Sequence, residues 1–587
     1  MQQNNKNILL ATILSAVVLL CWTWLYEKPR IEKQEAQRKI LASQKSGAAA
    51  VREVAKNPEN NSFKTQPQEA VLALKNRDEI LHDSKNYRLG IKSESLHGSI
   101  SLKGARFDDL TLAKYFETQD KKNEVVLFAP AQSKNRYFAD FGWLSSNRGL
   151  ELPNPETIWK SNSSILTPEN PVTLSWNNKQ GIEFRIKITL DANYMFNITQ
   201  SVKNNSKAEI SVASYGRINR VMNEQRQANY ILHEGMIGAF GGILQEVNYK
   251  NLRKDKHSGY TDNAGGNGWL GITDKYWLSS IVPDKNINYT ANFNYEFVNQ
   301  NNLFSSEFIG QEFKIAPGEE FKFNHNLFAG AKKVRLLDQY AKDYNIALFD
   351  RAIDFGWFYF LTKPFFFIIE FLNKFLGNFG LAILAMTVLI KLVLFPMANK
   401  SYMAIAKVKK LQPKIETLRE RFKGDKIAMN REMMELYKKE KVNPAAGCLP
   451  ILVQIPVFFA LYKVLFVTLD MRHATFYGWI HDLSAPDPTS IFNLFGLLPF
   501  SVSSAFTIGI WPILMGATMV LQQKLSPTTS DPTQAKILKW MPYVLTFVLA
   551  AFPAGLVIYW TWSNSLSILQ QWVITKKMNQ EKNKRLT

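Results

Sequence analysis

Residues 540–575 read WMPYVLTFVLAAFPAGLVIYWTWSNSLSILQQWVIT, a run of 36 residues without a charged side chain. A straight helix over this run would be about 54 Å long, almost twice the ~30 Å hydrocarbon core of a bilayer. Pro553 and Gly555 interrupt the run near its middle, where a turn forms most easily. The run therefore predicts a tight hairpin of two membrane spans, over 541–552 and 555–575.

Four further apolar segments bring the predicted number of spans to six. These segments are residues 8–25, 379–397, 449–469 and 505–521. The first of them could be a cleaved signal peptide or a permanent anchor. Trp22, Trp24 and Tyr26 occupy the place where a signal peptide would have a small-residue cleavage site, which favours an uncleaved anchor.

The composition supports a membrane protein with a large polar part. The chain has 587 residues, a net charge of +21, 46% hydrophobic residues and 2 Cys. These values exclude a disordered chain, a collagen and a secreted domain stapled by disulfides. The mean hydropathy of −0.17 averages over a polar first part and a C-terminal part in which apolar runs alternate with basic segments.

The distribution of Lys and Arg predicts the orientation of the spans. Residues 399–448 contain 13 Lys and Arg against 6 Asp and Glu, whereas residues 470–504 contain a single Arg. The basic segment and the basic tail are therefore expected in the cytoplasm. Counting spans backwards then predicts a cytoplasmic N-terminus and an external domain between the first two spans. In a bacterium this domain lies in the periplasm and the spans cross the inner membrane.

The external part shows the alternation of β-strands. Apolar and polar residues alternate over 182–190, continue over 194–198 after a turn, and alternate again over 321–327. Short strands separated by Asn, Gly and Lys turns predict an antiparallel β-sandwich. A helix is expected near 334–348. A second helix, at 355–376, carries Lys363, Glu370 and Lys374 on one face, which favours a position on the outer membrane surface over a span.

The predicted fold class is thus an α-helical polytopic membrane protein of six spans with a periplasmic antiparallel β-sandwich domain. Its divisions, in chain order, are an N-terminal transmembrane anchor (1–26), a flexible tether (27–70), the periplasmic domain (71–350), an interfacial amphipathic helix (351–378), span 2 (379–398), a cytoplasmic helical hairpin (399–448), span 3 (449–469), a periplasmic loop (470–504), span 4 (505–523), a cytoplasmic loop (524–540), spans 5 and 6 (541–575) and a basic cytoplasmic tail (576–587).

Lys391 is the most informative residue of the predicted spans. A cation at this depth costs ~2.5–3.5 kcal/mol on insertion scales, so it either faces water or a partner, or extends to the membrane surface. Thr387 lies on the same helical face. Further polar groups in the spans are Gln454, Thr561, Ser563, Asn564, Gln570 and Gln571. The spans contain no Asp or Glu, and this argues against a proton- or ion-coupled transporter.

The segment 399–448 is expected to form a helical hairpin with a basic outer surface. Apolar residues recur at spacings of three and four up to Phe422, a turn follows at Gly424 and Asp425, and Ile427, among others, can face back. The hairpin is either a structural connector or a docking arm for anionic lipid, ribosomal RNA or nascent chains. The basic residues that we expect to take part in docking are Lys407, Lys409, Lys410, Arg419, Arg421 and Lys423.

No catalytic or metal-binding pattern was found in the sequence. The seven His are scattered, and there is no HExxH, Walker loop, paired-Cys site or GxSxG. We therefore predict no enzyme activity, no catalytic residues, no metal and no cofactor.

Several motifs of the C-terminal half carry a family resemblance. They are EKVNPAAGCLP at 440–450, QIP at 454–456, FALY at 459–462, WIHDLSAPDP at 479–488, LSPTT at 525–529, DP at 531–532, FPAGL at 552–556 and SN at 563–564. Over about 353–577 the chain thereby resembles the YidC membrane protein insertases of the YidC/Oxa/Alb superfamily. Residues 27–350 resemble the periplasmic domain of that family more weakly, which implies the Gram-negative form.

The resemblance implies a five-span insertase core around a hydrophilic groove that is open to cytoplasm and lipid. Lys391 matches the positive residue of that groove, where relatives of this type usually have Arg. The other groove and substrate-contact positions implied are Thr387, Gln454, Phe458, Tyr559, Trp560 and Asn564.

The function implied is insertion and folding of inner-membrane proteins, alone or with the Sec translocon. The implied partners are nascent inner-membrane proteins, the Sec translocon, the ribosome and anionic phospholipids, and no DNA. Two alternatives stay open on the residues alone: a solute transporter with an outer binding domain, and a membrane-anchored periplasmic enzyme.

Overall fold

The computed structural model describes residues 75–222, 232–263, 265–356, 358–422, 424–440, 449–496, 498, 508–525 and 532–584. The predicted anchor, the predicted tether and Lys423 lie outside these residues. The chain divides into two compact units. We name them, by their described residues, the β-rich unit (75–222, 234–330 and 340–349) and the helical unit (232–233, 331–339 and 350–584).

The β-rich unit is built from strands, some of which alternate between buried and less buried positions while others are buried along almost their whole length. In chain order the strands are β1 (Arg88–Lys92), β2 (Leu96–Ser101), β3 (Arg106–Phe116), β4 (Glu124–Phe128), β5 (Tyr137–Leu144), β6 (Lys160–Ser161), β7 (Ile165–Leu166), β8 (Val172–Asn177), β9 (Ile182–Leu190), β10 (Met195–Asn204), β11 (Ile210–Val221), β12 (Gly235–Phe240), β13 (Ile243–Asn248), β14 (His257–Asp262), β15 (Trp269–Thr273), β16 (Trp277–Val282), β17 (Tyr289–Val298), β18 (Asn301–Gly310), β19 (Phe313–Ile315) and β20 (Glu320–Ala331).

These strands form two sheets. The first has the order β14-β17-β18-β11-β5-β3-β2-β1-β7, with β19 paired to β11 and β4 paired to β3. The second has the order β13-β12-β15-β16-β20-β10-β9-β8-β6. Antiparallel pairs predominate among the described strands, as predicted, but β1 and β7 pair in parallel. The sequence pattern did not reveal this exception, because alternation specifies a strand's faces and not its partner.

Aromatic side chains from both sheets form the core between them. Phe107 on β3 meets Phe196 on β10 with ring centroids 5.3 Å apart, and Trp143 on β5 meets Phe184 on β9 at 5.1 Å. Edge-to-face pairs of this kind add about 0.5–1.5 kcal/mol to the free energy of burial. The alternation over 182–190 forms β9 as predicted, with Ile186 and Ile188 on its buried face.

Two helices belong to the β-rich unit, namely α1 (Arg77–Asp83) and α2 (Tyr249–Asp255), and a third, α3 (Val334–Asp343), begins in the helical unit and ends in the β-rich unit. Helix α3 is shorter than the predicted 334–348. Asn345 and Leu348 have φ values of 50° and 56°, which a right-handed helix does not allow. The apolar spacing beyond Asp343 therefore does not continue the helix.

The helical unit contains the remaining helices. They are α4 (Tyr359–Leu376), α5 (Phe379–Val393), α6 (Phe395–Lys410), α7 (Gln412–Arg421), α8 (Lys426–Lys439), α9 (Leu449–Val467), α10 (Ile510–Leu525), α11 (Pro532–Leu549) and α12 (Ala554–Lys584). The predicted turn near Pro553 and Gly555 falls between α11 and α12. A buried cluster of Met515, Leu549 and Val557 joins α10, α11 and α12.

The helix expected over 379–397 is broken. Helices α5 and α6 meet at Leu394 with a bend of 70°. Pro396 lies in the first turn of α6, where its missing N–H is tolerated, but within a continuous helix its ring would clash with the carbonyl one turn earlier. The sequence pattern gave an uninterrupted segment because Leu394, Phe395 and Met397 continue the apolar run.

Within the described ranges, each helix taken singly is too short or too polar to cross a membrane. The bent pair α5 and α6 reaches the required length and apolar composition when its two helices are taken together.

Candidate functional site

The candidate site lies where α5, α9, α10 and α12 approach one another in the helical unit. Helix α5 begins with a side-chain cap, since Asn378 Oδ1 accepts a hydrogen bond from the Leu381 N–H at 3.1 Å. Its buried face includes Ile383, Thr387 and Ile390, and Leu392 and Val393 are exposed. Lys391 follows Ile390 at the edge of this buried face and is half-buried.

Lys391 contacts α12 through a hydroxyl group. Its Nζ donates a hydrogen bond to Ser567 Oγ at 2.8 Å, and Ser567 Oγ donates in turn to the Ser563 carbonyl at 2.9 Å. No Asp or Glu among the described residues forms an ion pair with Lys391, so within this part of the chain its charge meets only a neutral group.

Ser567 was missed by the sequence analysis. It lies three residues after Asn564 and four before Gln571, and this spacing places all three on one face of α12. All three are at least nine-tenths buried. The periodicity of the polar residues was therefore the signal that could have found it.

Thr387 lies one turn before Lys391 and is buried. Its Oγ1 donates to the Ile383 carbonyl at 2.7 Å, a bond within its own helix. The hydroxyl donor is thereby satisfied, and its oxygen keeps capacity to accept a hydrogen bond.

Gln454 and Tyr559 join α9 to α12. Gln454 Nε2 donates to the Tyr559 hydroxyl oxygen at 2.5 Å, and Tyr559 is almost fully buried. Phe458 lies one turn after Gln454 on α9, and its ring centroid is 4.7 Å from that of Trp560. These four predicted residues thus form a contact of one hydrogen bond and one aromatic pair between the two helices.

Asn564 joins α12 to α10. Its Nδ2 donates to Thr518 Oγ1 at 3.2 Å, and Thr518 Oγ1 donates to the Met515 carbonyl at 2.7 Å. Farther along both helices, Gln571 Nε2 donates to the Leu525 carbonyl at 3.0 Å. The polar side chains of α12 are therefore in contact with α5, α9 and α10.

The segment 470–489 forms hydrogen bonds with the first residues of α10 and α12. Asp487 is buried, and its carboxylate accepts hydrogen bonds from Trp479 Nε1 at 3.1 Å, Thr489 Oγ1 at 2.7 Å and the Trp511 N–H at 2.9 Å. The carbonyls of Leu483 and Ala485 accept from the first two amides of the α12 region, at 3.0 and 2.7 Å. The segment thereby caps the beginnings of α10 and α12.

The predicted docking residues lie at the ends of α6 and α7. Lys407, Lys409 and Lys410 are in the last turn of α6, and Arg419 and Arg421 are in the last turn of α7, where cations are favourable to the helix dipole. Lys409 Nζ donates to the Lys524 carbonyl at 3.1 Å.

Helices α7 and α8 form a hairpin within the segment 399–448, and the apolar spacing expected up to Phe422 is divided at Leu411 between α6 and α7. Leu411, Ile415 and Met433 pack together between them, and Asp425 caps α8 by accepting from the Ile427 and Ala428 amides, both at 3.0 Å. Ile427 was expected to face back toward the hairpin interior, which is wrong because its side chain is exposed. Its position in the first turn beside the cap directs it outward.

The three charges predicted on one face of α4 are all paired. Lys363 Nζ lies 2.6 Å from Asp338 and 3.1 Å from Asp350, and Glu370 pairs with Arg335 at 2.8 Å and with Lys374 at 3.4 Å. The exposed aromatic residues of the helix are Phe360, Phe371 and Phe375. Helix α4 therefore presents a charged side to Arg335, Asp338 and Asp350 of the same unit, and its exposed aromatic side chains lie elsewhere on the helix.

Two family models match the chain in adjacent regions. Residues 88–368 match the YidC periplasmic domain, and residues 371–582 match the 60Kd inner membrane protein. The first region contains the two sheets, and the second contains α5 to α12 with all the candidate groove residues.

Known proteins resemble nearly the whole chain. The membrane protein insertase YidC of Rickettsia bellii (strain OSU 85-389) is 50% identical over 98% of this chain and 100% of its own length, and that of Rickettsia akari (strain Hartford) is 49% identical over the same shares. A solved active YidC insertase is 15% identical over 82% of this chain and 92% of that chain, with a TM-score of 0.33.

The two family models show that the chain is an inner-membrane protein with a periplasmic β-rich domain and a helical C-terminal region. Within this class, the chain belongs to the YidC family of membrane protein insertases. Its function is membrane protein insertion, and its clients are nascent membrane proteins. This is a non-catalytic role, and it replaces both alternatives, the solute transporter and the periplasmic enzyme.

Proposed function

We propose that the polar contacts between α5, α9, α10 and α12 form the groove through which this insertase receives the hydrophilic end of a client. The residues assigned to the groove are Lys391, Thr387, Gln454, Phe458, Tyr559, Trp560 and Asn564. The proposal is supported by their contacts, since Lys391, Gln454 and Phe458 each meet α12 through a hydrogen bond or a ring contact. On α12 itself, Asn564 donates a hydrogen bond to α10.

The observation that carries the proposal is the environment of Lys391. Its ammonium group is half-buried on an apolar helix and donates to the neutral Ser567 hydroxyl. Moving an unpaired carboxylate of a client out of water costs several kcal/mol. A cation held in place lowers that cost by pairing with the carboxylate, so we infer that acidic client tails enter here first.

The apolar segment of the client then leaves the groove sideways into lipid. Burial in lipid yields about 25 cal/mol for each Å² of apolar surface, and no nucleotide hydrolysis is needed. Helix α10 has 16 residues, so at about 1.5 Å per residue it is roughly 24 Å long, shorter than the ~30 Å bilayer core. A short span of this kind thins the bilayer locally and so shortens the path of the client.

The proposed topology has six spans with both termini in the cytoplasm. An anchor at 1–26 and a tether at 27–70 precede the periplasmic domain, and α4 lies on the outer membrane surface. The excess of Lys and Arg in 399–448 supports this orientation. A cysteine in place of Glu296 should react with a membrane-impermeant maleimide in intact cells, and one in place of Lys410 only after lysis.

The basic ends of α6 and α7 are proposed as a docking surface for anionic phospholipids, the ribosome and the Sec translocon. Each Lys or Arg near an anionic membrane contributes about 1 kcal/mol. Replacing Lys407, Lys410 and Arg421 together by Gln should therefore reduce binding to vesicles with anionic lipid and leave binding to neutral vesicles unchanged.

Insertion by the purified protein in liposomes tests the groove. A single-span client with an acidic N-terminal tail is added, and protection of the tail from protease is measured for wild type, Lys391→Ala and Lys400→Ala. Lys400 is exposed on α6 and serves as the matched control. We expect protection to fall in Lys391→Ala and to stay at the wild-type level in Lys400→Ala. The fall in Lys391→Ala should be smaller for a client whose acidic tail residues are replaced by Asn and Gln.

Equal protection by wild type and Lys391→Ala would contradict the proposal. In that case the polar lining or the thinned bilayer would carry insertion without the charge.

A further inference from the structure

Helix α9 carries one charged residue, Lys463, on the side away from the groove. Its Nζ lies 2.7 Å from Asp354 Oδ2, and the two side chains are only 14% and 22% exposed. Asp354 belongs to the segment between the 3₁₀ turn at Phe349–Ala352 and helix α4. The ion pair therefore fastens α9 to the segment that leads into α4.

Asp354 is itself held in place by backbone groups. Its Oδ1 accepts from the Gly356 N–H at 2.9 Å, and its Oδ2 accepts from the His233 N–H at 3.2 Å. Gly356 has a φ of 71°, and a Cβ at this position would lie 3.0 Å from Lys463 Cε. Glycine thus allows both the turn and the close approach of the lysine. The Asp354 carboxylate is therefore held in one position by backbone hydrogen bonds.

Lys463 and Gln454 lie on opposite sides of α9. Nine residues separate them, and at ~100° per residue this is a rotation of about 180°. The contacts agree with this placement, because Gln454 meets Tyr559 on α12 while Lys463 meets Asp354. Phe458, which meets Trp560, is also on the α12 side.

Apart from Gln454 and Lys463, the side chains of α9 are apolar or aromatic all around the helix, so hydrophobic burial alone does not specify its rotation about its own axis. A single charged side chain on such a helix has one favourable direction. We propose that the Lys463–Asp354 ion pair is a positioning device that fixes the rotation of α9 and thereby directs Gln454 and Phe458 at α12. The functional part of this inference rests on the groove proposed above.

Removal of Lys463 leaves the carboxylate of Asp354 partly buried without its cation, whereas removal of both charges leaves no such carboxylate. The proposal therefore predicts different effects for the single and double variants at positions 463 and 354. Lys463→Met and Asp354→Asn should each disturb the orientation of α9, the double variant should disturb it less than Lys463→Met alone, and Lys463→Arg should keep it. Packing alone would not give this dependence on charge.

The experiment measures orientation directly by crosslinking α9 to α12. Cys21 and Cys448 are replaced by Ser, and Gln454→Cys and Tyr559→Cys are introduced into the full chain in liposomes. The rate of crosslinking by a short bifunctional thiol reagent is then compared among the variants. Lys374→Met is the control, because Lys374 also belongs to an ion pair of the helical unit but is 66% exposed.

We expect Lys463→Met and Asp354→Asn to slow crosslinking by about threefold or more, with partial recovery in the double variant. Lys463→Arg and Lys374→Met should react at the wild-type rate. Unchanged rates in both single variants, or a rate for Lys463→Arg equal to that of Lys463→Met, would overturn the proposal.

The same variants without the added cysteines are then tested in the protease-protection assay. Slower crosslinking together with lower protection supports positioning and its link to insertion. If crosslinking slows while neither Lys463→Met nor Lys391→Ala changes protection, the positioning inference holds and the groove proposal fails. Asp354→Asn keeps one oxygen, which can still accept from the Gly356 amide of the turn, while the His233 amide loses its acceptor. The variant therefore removes the charge without removing the acceptor inside the turn.

Discussion

Lys391 is a residue whose chemistry depends on its neighbours. A guanidinium in its place would offer a planar fork to a client carboxylate, whereas the ammonium offers a single charged point with three donors. The Ser567 hydroxyl takes one of these donors and leaves others for a client. The charge is thus available without a fixed counter-ion from the described residues.

Substitution at 391 should separate charge from shape. We expect Lys391→Arg to insert an acidic-tailed client at least as well as wild type, because the charge is kept. Lys391→Gln should reduce the insertion rate on the order of tenfold, which corresponds to about 1.4 kcal/mol of lost stabilisation. Protease protection over a time course provides the measurement, and equal rates for Arg and Gln would contradict the role of charge.

Asp487 should contribute more to the stability of the chain than the nearby acid Asp482. Asp487→Ala leaves the Trp479 indole N–H and the Trp511 amide without their buried acceptor. We expect a loss of roughly 2–4 kcal/mol, seen as a lower unfolding midpoint of the full chain in detergent. The Asp482 carboxylate accepts from Ser484 within its own turn. Asp482→Ala should change the midpoint much less, and an equal effect would refute this account.

At the scale of elements, the helices of the unit approach closely where a small residue allows it. Gly516 on α10 faces Thr546 on α11, and a Cβ at 516 would lie 2.1 Å from Thr546 Oγ1. Thr546 Oγ1 donates to the Pro542 carbonyl at 2.7 Å, which holds the hydroxyl in this position. The spacing of α10 and α11 therefore depends on the glycine.

A pair of substitutions tests this contact. Gly516→Ala alone should destabilise the chain by about 1–3 kcal/mol, because overpacking exceeds the gain in helix propensity. The same change in a Thr546→Ala background should be near neutral or stabilising by up to about 1 kcal/mol. Unfolding midpoints of the four chains give the comparison, and additive effects would show that the two residues do not meet.

The elements were predictable to different degrees. The strands at 182–190 and 321–327 and the turn near Pro553 followed from local pattern and formed as expected. The bend at Leu394 was missed because the apolar run continues across it. The position of each polar side chain on its helix was predictable, but its partner on another helix was not.

At the scale of the whole molecule, each unit has its own core, and the core of the β-rich unit contains a buried histidine. His325 on β20 is buried between the sheets beside Phe141, Phe308 and Phe323. Its Nδ1 accepts from the Asp284 N–H at 2.9 Å. Burial lowers the pKa of His325 to about 4, because the charged imidazolium would be removed from water.

This burial predicts a pH dependence of stability. The unfolded chain protonates His325 below its ordinary pKa of ~6.5, whereas the folded chain does so only near pH 4. The free energy of unfolding should therefore fall as the pH drops from about 6.5 to about 4, by up to about 1.4 kcal/mol per pH unit. Above about pH 6.5 both states are neutral, and this residue contributes no slope.

Hydrogen exchange of the β20 amides in the full chain measures this effect. The rate ratio of wild type to His325→Gln at each pH removes the intrinsic dependence of exchange on pH. We expect the ratio to rise as the pH falls from about 6.5 to about 4. His82→Gln, at an exposed position, should follow wild type throughout. A constant ratio for His325→Gln would rule out His325 as the source.

The sequence by itself determined the class of protein, the β-rich external part, the basic hairpin and the chemical character of the proposed groove residues. The class and the proposed groove positions follow from motifs that resemble a known family. The other properties follow from local composition and periodicity, because each residue's tendency to be buried is encoded along its own strand or helix. Only the tertiary structure decided which side chains meet. Lys391 and Ser567 are 176 residues apart, Gln454 and Tyr559 are 105 apart, and Asp354 and Lys463 are 109 apart. Such pairs depend on how helices pack and rotate against one another, and no local pattern contains that information.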